Sequence, residues 1–158
     1  MKFKSEYLQT RCSQVEEDLK KAARWASQDA ALDGYLGGYF VVMVSGVFED
    51  CIEHLVWERV NRTNDKELTS LVEELIDQFV RNPTPEKVAT LVKYFSAEYL
   101  QEYRRRITDR HSLALGSIVT NKNHLGHGTL KRNVTVSDAA DYFQNSTPIL
   151  EALEEVLS

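Results

Sequence analysis

The sequence predicts an all-α protein, an antiparallel helical bundle of four long helices with short extra ones. Three observations carry that prediction. Apolar residues recur at three- and four-residue steps along most of the chain, the spacing of a helix face. No stretch alternates apolar and polar residues over the length of a strand. The breaks between periodic segments are short and made of turn-forming residues, such as Asn61-Arg62-Thr63-Asn64-Asp65 and Asn82-Pro83-Thr84-Pro85.

In order, residues 5–28 form the first helix, with Tyr7, Leu8, Cys12, Val15, Leu19, Ala22 and Ala26 on one face and charged residues on the other. Asp33-Gly34 is a turn signal, either a loop or a short kink. Residues 35–61 form a longer helix, almost wholly apolar as far as Phe48 and amphipathic afterwards through Cys51, Ile52, Leu55 and Val56. Gly37, Gly38, Ser45 and Gly46 are small residues inside it. Glycine there costs about 1 kcal/mol against alanine, so they mark either a local bend or the close approach of another backbone. Glu49 follows this face and can point inward, although exposure is the default for a carboxylate.

Residues 66–81 form a third helix, with Leu68, Leu71, Val72, Leu75, Ile76 and Phe79 on one side, stopped by the proline-rich break. Thr84 caps the next helix, 85–95, and Pro85 suits its first position. Ser96 caps a further stretch, 97–106. Thr108 or Asp109 caps 109–125, which ends at Gly126 or Gly128. Val134-Thr135-Val136 reads as an extended connector. Ser137 caps the last helix, 138–157, which Pro148 bends or splits.

The 158 residues suit a single domain, 1–158, able to bury a core without disulfides or metals. With 42% hydrophobic and 27% charged residues, the composition is globular rather than disordered. The net charge of −5 argues against a broadly basic nucleic-acid-binding surface. A local basic patch remains in Arg104-Arg105-Arg106 with Arg110. That cluster reads first as a solvated helix end, where cations are favoured. Cys12 and Cys51 lack metal-ligand spacing and read as buried thiols in a reducing compartment. The three Asn-X-Ser/Thr sites, at Asn61, Asn133 and Asn145, carry little weight, because the first residues form no apolar leader. The apolar run from Tyr35 to Phe48 is closed by Glu49 and Asp50, short of the roughly 20 residues of a spanning helix. The expectation is a soluble, cytoplasmic protein with no membrane association.

One stretch is unlike the rest: Asn121-Lys122-Asn123-His124-Leu125-Gly126-His127-Gly128. Asn123 and His127 are four apart and share a helix face if the helix reaches that far. Lys122 lies about 140° from His127 around an ideal helix, so the two converge only if the helix ends near Gly126 and turns. An imidazole beside a cation and an amide suits an anion such as phosphate. Lys122 neutralises it, Asn123 orients it and His127 moves protons near neutral pH. A metal reading needs a third ligand beside His124 and His127, such as Glu49 or Asp109. The plainest reading is a polar helix C-cap with Gly128 in left-handed geometry.

Lys122 to Gly128 resembles the signature of HEPN domains, a basic residue and a polar neighbour followed by His and often Gly. Val47-Phe48-Glu49-Asp50-Cys51-Ile52-Glu53-His54-Leu55-Val56 is similar to the early helix of the RiboL-PSP-HEPN and MAE_28990-like subfamilies. Val136-Ser137-Asp138-Ala139-Ala140-Asp141-Tyr142-Phe143 resembles the helix that follows their motif, so the likeness covers most of residues 35–157. The resemblance implies a symmetric homodimer acting as a metal-independent ribonuclease with no cofactor, in a toxin–antitoxin or phage-defence setting with a possible antitoxin or partner protein. Its catalytic residues would be Lys122, Asn123 and His127, with His127 in proton transfer as the ribose 2′-OH attacks and leaves a 2′,3′-cyclic phosphate. The chain departs from the family in having Lys122 where the signature has Arg, which loses the planar two-bond grip on phosphate. Arg106 and His111 have the same spacing but span a helix start and lack the following Gly. Two further readings stand beside the ribonuclease: a non-catalytic HEPN module that binds a partner protein, RNA or nucleotide, and a helical interaction protein with a structural polar motif.

Overall fold

The structure, a computed structural model, describes residues 3–126 and 134–158. Every regular element among them is a helix. Four are long: α1 (Glu6–Ala26), α2 (Ala30–Asn61), α7 (Asp109–Gly126) and α8 (Val136–Leu157). Four shorter ones lie between α2 and α7: α3 (Lys66–Leu75), α4 (Asp77–Val80), α5 (Pro85–Phe95) and α6 (Ala97–Arg106). The all-α expectation is met.

The predicted boundaries hold where a cap is written plainly in the sequence. Thr84 accepts from the Lys87 N–H and Pro85 opens α5; Ser96 accepts from the Glu98 and Tyr99 N–H groups and opens α6. Three boundaries differ. The long second helix starts at Ala30, because the Asp29 carboxylate caps the Ala31 and Leu32 N–H groups. Asp33-Gly34 is therefore helical. A first-turn acid suits the helix dipole, and Asp33 gains a second role below. The third helix breaks at Ile76 into α3 and α4. The last helix is capped by Thr135, not Ser137: Thr135 Oγ1 accepts from the Asp138 N–H while the Asp138 carboxylate accepts from the Thr135 N–H. That reciprocal box satisfies two end groups where a lone Ser137 would satisfy one. Pro148 does not split α8, which runs unbroken through it. Just before the proline, the Ser146 and Thr147 hydroxyls donate to the Tyr142 and Phe143 carbonyls.

α2 packs against α1, α7 and α8, and the core gathers around it. Phe40, Val41, Val44, Phe48, Cys51, Ile52, Leu55 and Val56 of α2 are buried with Leu8, Val15, Leu115, Ile118, Phe143, Leu150 and Leu153 of its neighbours. α1 runs opposite to α2: Tyr7 stacks on His54 with ring centres 4.2 Å apart, and Arg11 pairs with Asp50. Both cysteines are fully buried as free thiols, as expected of them. The Cys51 thiol meets Cys12, and that hydrogen bond, reinforced by burial, pushes its pKa far up, so it stays protonated.

A buried acid fastens the two ends of the described chain. Glu154, in the last turn of α8, is 5% exposed. Its carboxylate accepts from the Ser5 N–H at 2.6 Å and the Lys4 N–H at 2.9 Å. These backbone donors at the start of α1 have no partner within their own helix. Removing the carboxylate leaves both without it, and a hydrogen bond to a charged group is worth about 1.5–3 kcal/mol. Glu154→Ala is expected to destabilise the chain by about 3 kcal/mol and lower Tm by about 6–12 °C in a thermal melt. Glu154→Gln, which keeps one acceptor, is expected to lose less.

The glycines of α2 divide as physical chemistry requires. A Cβ on Gly37 would stand 2.1 Å from the Val134 carbonyl oxygen, so backbone passes directly over this point. A Cβ on Gly38 would meet the Leu125 side chain at 3.3 Å. A Cβ on Gly46 would meet nothing within 4 Å. Close approach is thus the reason for Gly37, not for Gly46. In urea denaturation, Gly37→Ala is expected to cost about 2 kcal/mol or more through overpacking. Gly46→Ala is expected to stabilise by about 0.5–1 kcal/mol through helix propensity.

Candidate functional site

α7 brings the polar stretch to its last turns. Ala114, Leu115, Ile118 and Val119 bury one face of this helix and set its rotation. Asn121 and Lys122 are then half-buried, while Asn123 and His124 are exposed. His127 and Gly128, and with them the expected cap at Gly128 and the facing of Asn123 and His127, lie outside the described residues.

Both ends of the described chain around the motif are anchored on the first half of α2. On the α7 side, Leu125 packs on Gly38. On the α8 side, Val134 lies over Gly37, and the Asp33 carboxylate accepts from the Val136 N–H at 2.8 Å. Asp33, read as part of a turn, and Gly37 together hold the start of α8 against α2, while Gly38 receives the end of α7.

Lys122 is not a loose surface cation. Its Nζ donates to Glu49 Oε1 at 2.6 Å, and the two side chains are only 26% and 23% exposed. The same oxygen accepts from the Asn82 N–H at 3.1 Å and from the Ser45 hydroxyl at 3.4 Å. Glu49 thus points inward. It is held by a backbone group, a hydroxyl and an ammonium from three parts of the chain. Asn82 presents its N–H from left-handed backbone, φ 50°, a conformation that asparagine tolerates better than most residues. Its own Oδ1 is buried without a hydrogen-bond partner.

Asn121, beside Lys122, is committed elsewhere. Its Nδ2 donates to the Ser117 carbonyl at 2.8 Å, and its side chain bonds Tyr142 of α8. Burial, with a smaller contribution from Asp138, raises the Tyr142 pKa, and the Asn121 bond offsets part of that rise. Asn121 therefore ties α7 to α8. It also closes an open groove of about 770 Å³ between the start of α5 and α7, lined by Thr84, Glu86, Asp109, Ser112, Gly116 and Thr120. The groove is rich in hydroxyls and holds two acids, so it has no electrostatic pull on a phosphate backbone.

The other sequence candidates separate. Arg105 and Arg106 both pair with Glu102, and Arg106 also lies 3.9 Å from Glu155. Arg104, Arg105 and Arg106 are the end of α6, as the helix-end reading has it, while Arg110 lies at the start of α7. His111 accepts from the Thr108 N–H at 3.3 Å at the start of α7, a capping contact remote in kind from a site with Arg106. Among the described residues, no group of three or more His, Cys, Asp or Glu side chains is gathered to hold a metal. By length and composition α2 is apolar enough to cross a membrane, and its Leu32, Tyr35, Tyr39 and Val42 are exposed along one face.

Sequence reasoning missed the role of Glu49, Asn82 and Ser45. The available signal was Glu49 itself, a carboxylate set directly against an apolar helix face. No family model, curated protein or solved structure matches the chain.

The ion pair makes its own prediction. Exposed pairs contribute little, but this one is three-quarters buried and shares a fixed acceptor. A double-mutant cycle on Glu49→Gln and Lys122→Met, read by urea denaturation, is expected to give a coupling of about 1 kcal/mol. Additive effects would mean that the two charges do not meet in solution.

Proposed function

We propose that this chain is a metal-independent RNA endonuclease of the HEPN type, working in the cytoplasm as a homodimer within a toxin or phage-defence system. Supporting this reading is the resemblance of Lys122–Gly128 and its two flanking helical segments to that family, together with an all-helical fold. The observation that carries it is the placement of Lys122. A half-buried cation stands at the end of a core helix, with both neighbouring chain segments anchored on α2. In this reading Lys122 and Asn123 meet the phosphate. His127 moves the proton as the 2′-OH attacks phosphorus and the 5′-oxygen leaves. The exposed face of Leu32, Tyr35, Tyr39 and Val42, at three- and four-residue steps on α2, is an apolar surface suited to a second copy.

A second reading has a specific observation in its favour. Lys122 already has a carboxylate partner at 2.6 Å, and a neutralised cation grips a phosphate less strongly. A non-catalytic HEPN module that binds a partner protein, RNA or nucleotide would tolerate this pairing.

Cleavage of mixed RNA in EDTA decides between them. The first reading expects wild-type protein to leave 2′,3′-cyclic phosphate ends, and His127→Ala to cut at least about 100-fold more slowly. Intact RNA with wild type, but cleavage by Lys122→Arg, would establish the second reading. Cleavage that survives His127→Ala would remove His127 from the site.

A further inference from the structure

We propose that Glu49 is an internal competitor for Lys122: its carboxylate occupies the place on the ammonium that an anionic ligand must take. The inference rests on reading Lys122 as a phosphate contact, and it deepens that reading by naming what the phosphate has to displace.

The two partners are unequally held. Glu49 Oε1 accepts from a backbone N–H at Asn82, from the Ser45 hydroxyl one turn earlier on its own helix, and from Lys122. Ser45 is fully buried, and the Asn82 N–H is fixed by left-handed backbone before the buried Pro83. The carboxylate therefore keeps two donors when the ammonium leaves. Lys122 ends a flexible four-carbon stem and carries three donors, so it can swing or share. Exchange of one anion for another at Nζ leaves Glu49 supported and costs the fold little.

The charge consequence is direct. While the pair is closed, Lys122 adds almost no net positive charge to the end of α7. A phosphate approaching it meets a carboxylate within a few ångströms, and like charges at that range in a partly buried site oppose each other strongly.

The test measures binding of a short 2′-O-methyl RNA, which cannot be cut through its 2′ oxygen, and of inorganic phosphate, to the full chain. Glu49→Gln keeps an acceptor for Lys122 and removes the charge. It is expected to bind the RNA about fivefold tighter or better, with the log–log dependence of affinity on salt steeper by about 0.7, one further released counterion. Lys122→Met in the wild-type background removes the phosphate contact and leaves the Glu49 charge unpaired, so it is expected to weaken binding. In the Glu49→Gln background the same change is expected to abolish the gain. Unchanged or weaker binding by folded Glu49→Gln overturns the proposal. If Glu49→Gln does not fold, Glu49→Asp, whose carboxylate is drawn back from the ammonium by one carbon, takes its place: tighter binding than wild type supports the proposal, and unchanged or weaker binding overturns it. Cleavage of ordinary RNA separates the two claims. Wild type that cuts through His127, with no gain from Glu49→Gln, removes the competitor and leaves the ribonuclease. Wild type that cuts nothing, with the gain intact, removes the ribonuclease and leaves the competitor.

Discussion

Between Phe48 and Cys51, both fully buried, α2 has to accommodate the carboxylate of Glu49. A charge at such a position is tolerated only with partners close at hand. The fold supplies them from three directions: Ser45 on the same helix, the Asn82 backbone from the break before α5, and Lys122 from α7. The buried apolar face of α7 sets its rotation, and the pairing is made across the resulting contact with α2. The left-handed backbone of Asn82 and its unpartnered Oδ1 are the local cost of presenting that N–H. The orientation of Lys122, and with it the electrostatic character of the motif, follows from satisfying one acid.

A second constraint acts nearer the start of the same helix. Gly37 admits the Val134 carbonyl, Gly38 admits Leu125, and Asp33 receives the Val136 N–H. These contacts fix where the chain leaves α7 and where it rejoins α8. The first half of α2 is thus a platform for the segment that carries the motif, and it is the part of the core helix where small and acidic residues replace large apolar ones.

Much of the fold was legible in the sequence because it rests on local rules. Period-3.6 patterning gave the helices, and Thr84-Pro85 and Ser96 gave two of their starts, since a cap needs only its own few residues. The misplaced starts have a shared cause. Asp33-Gly34 and Ser137 are good local signals overruled by better ones, the Asp29 cap and the Thr135–Asp138 box. The break at Ile76 had no sequence signal that we recognise. The site was half legible. Lys122 and Asn123 stand out as a polar pair closing an apolar helix. Their relation to Glu49 did not, because the two charges are 73 residues apart and their meeting depends on how α7 packs on α2. The inward turn of Glu49 depends equally on Asn82, another long-range partner.

The central claim is that Lys122 and Glu49 form a closed pair that an anion can open. Side-chain ammonium NMR of the full chain tests it most directly, since a lysine held by a carboxylate exchanges its protons more slowly than a solvated one. The account predicts a protected Lys122 ammonium signal in wild type, lost in Glu49→Ala and shifted by inorganic phosphate. A Lys122 signal that exchanges as fast as those of the exposed Lys66 and Lys93, and is indifferent to Glu49→Ala, would contradict it.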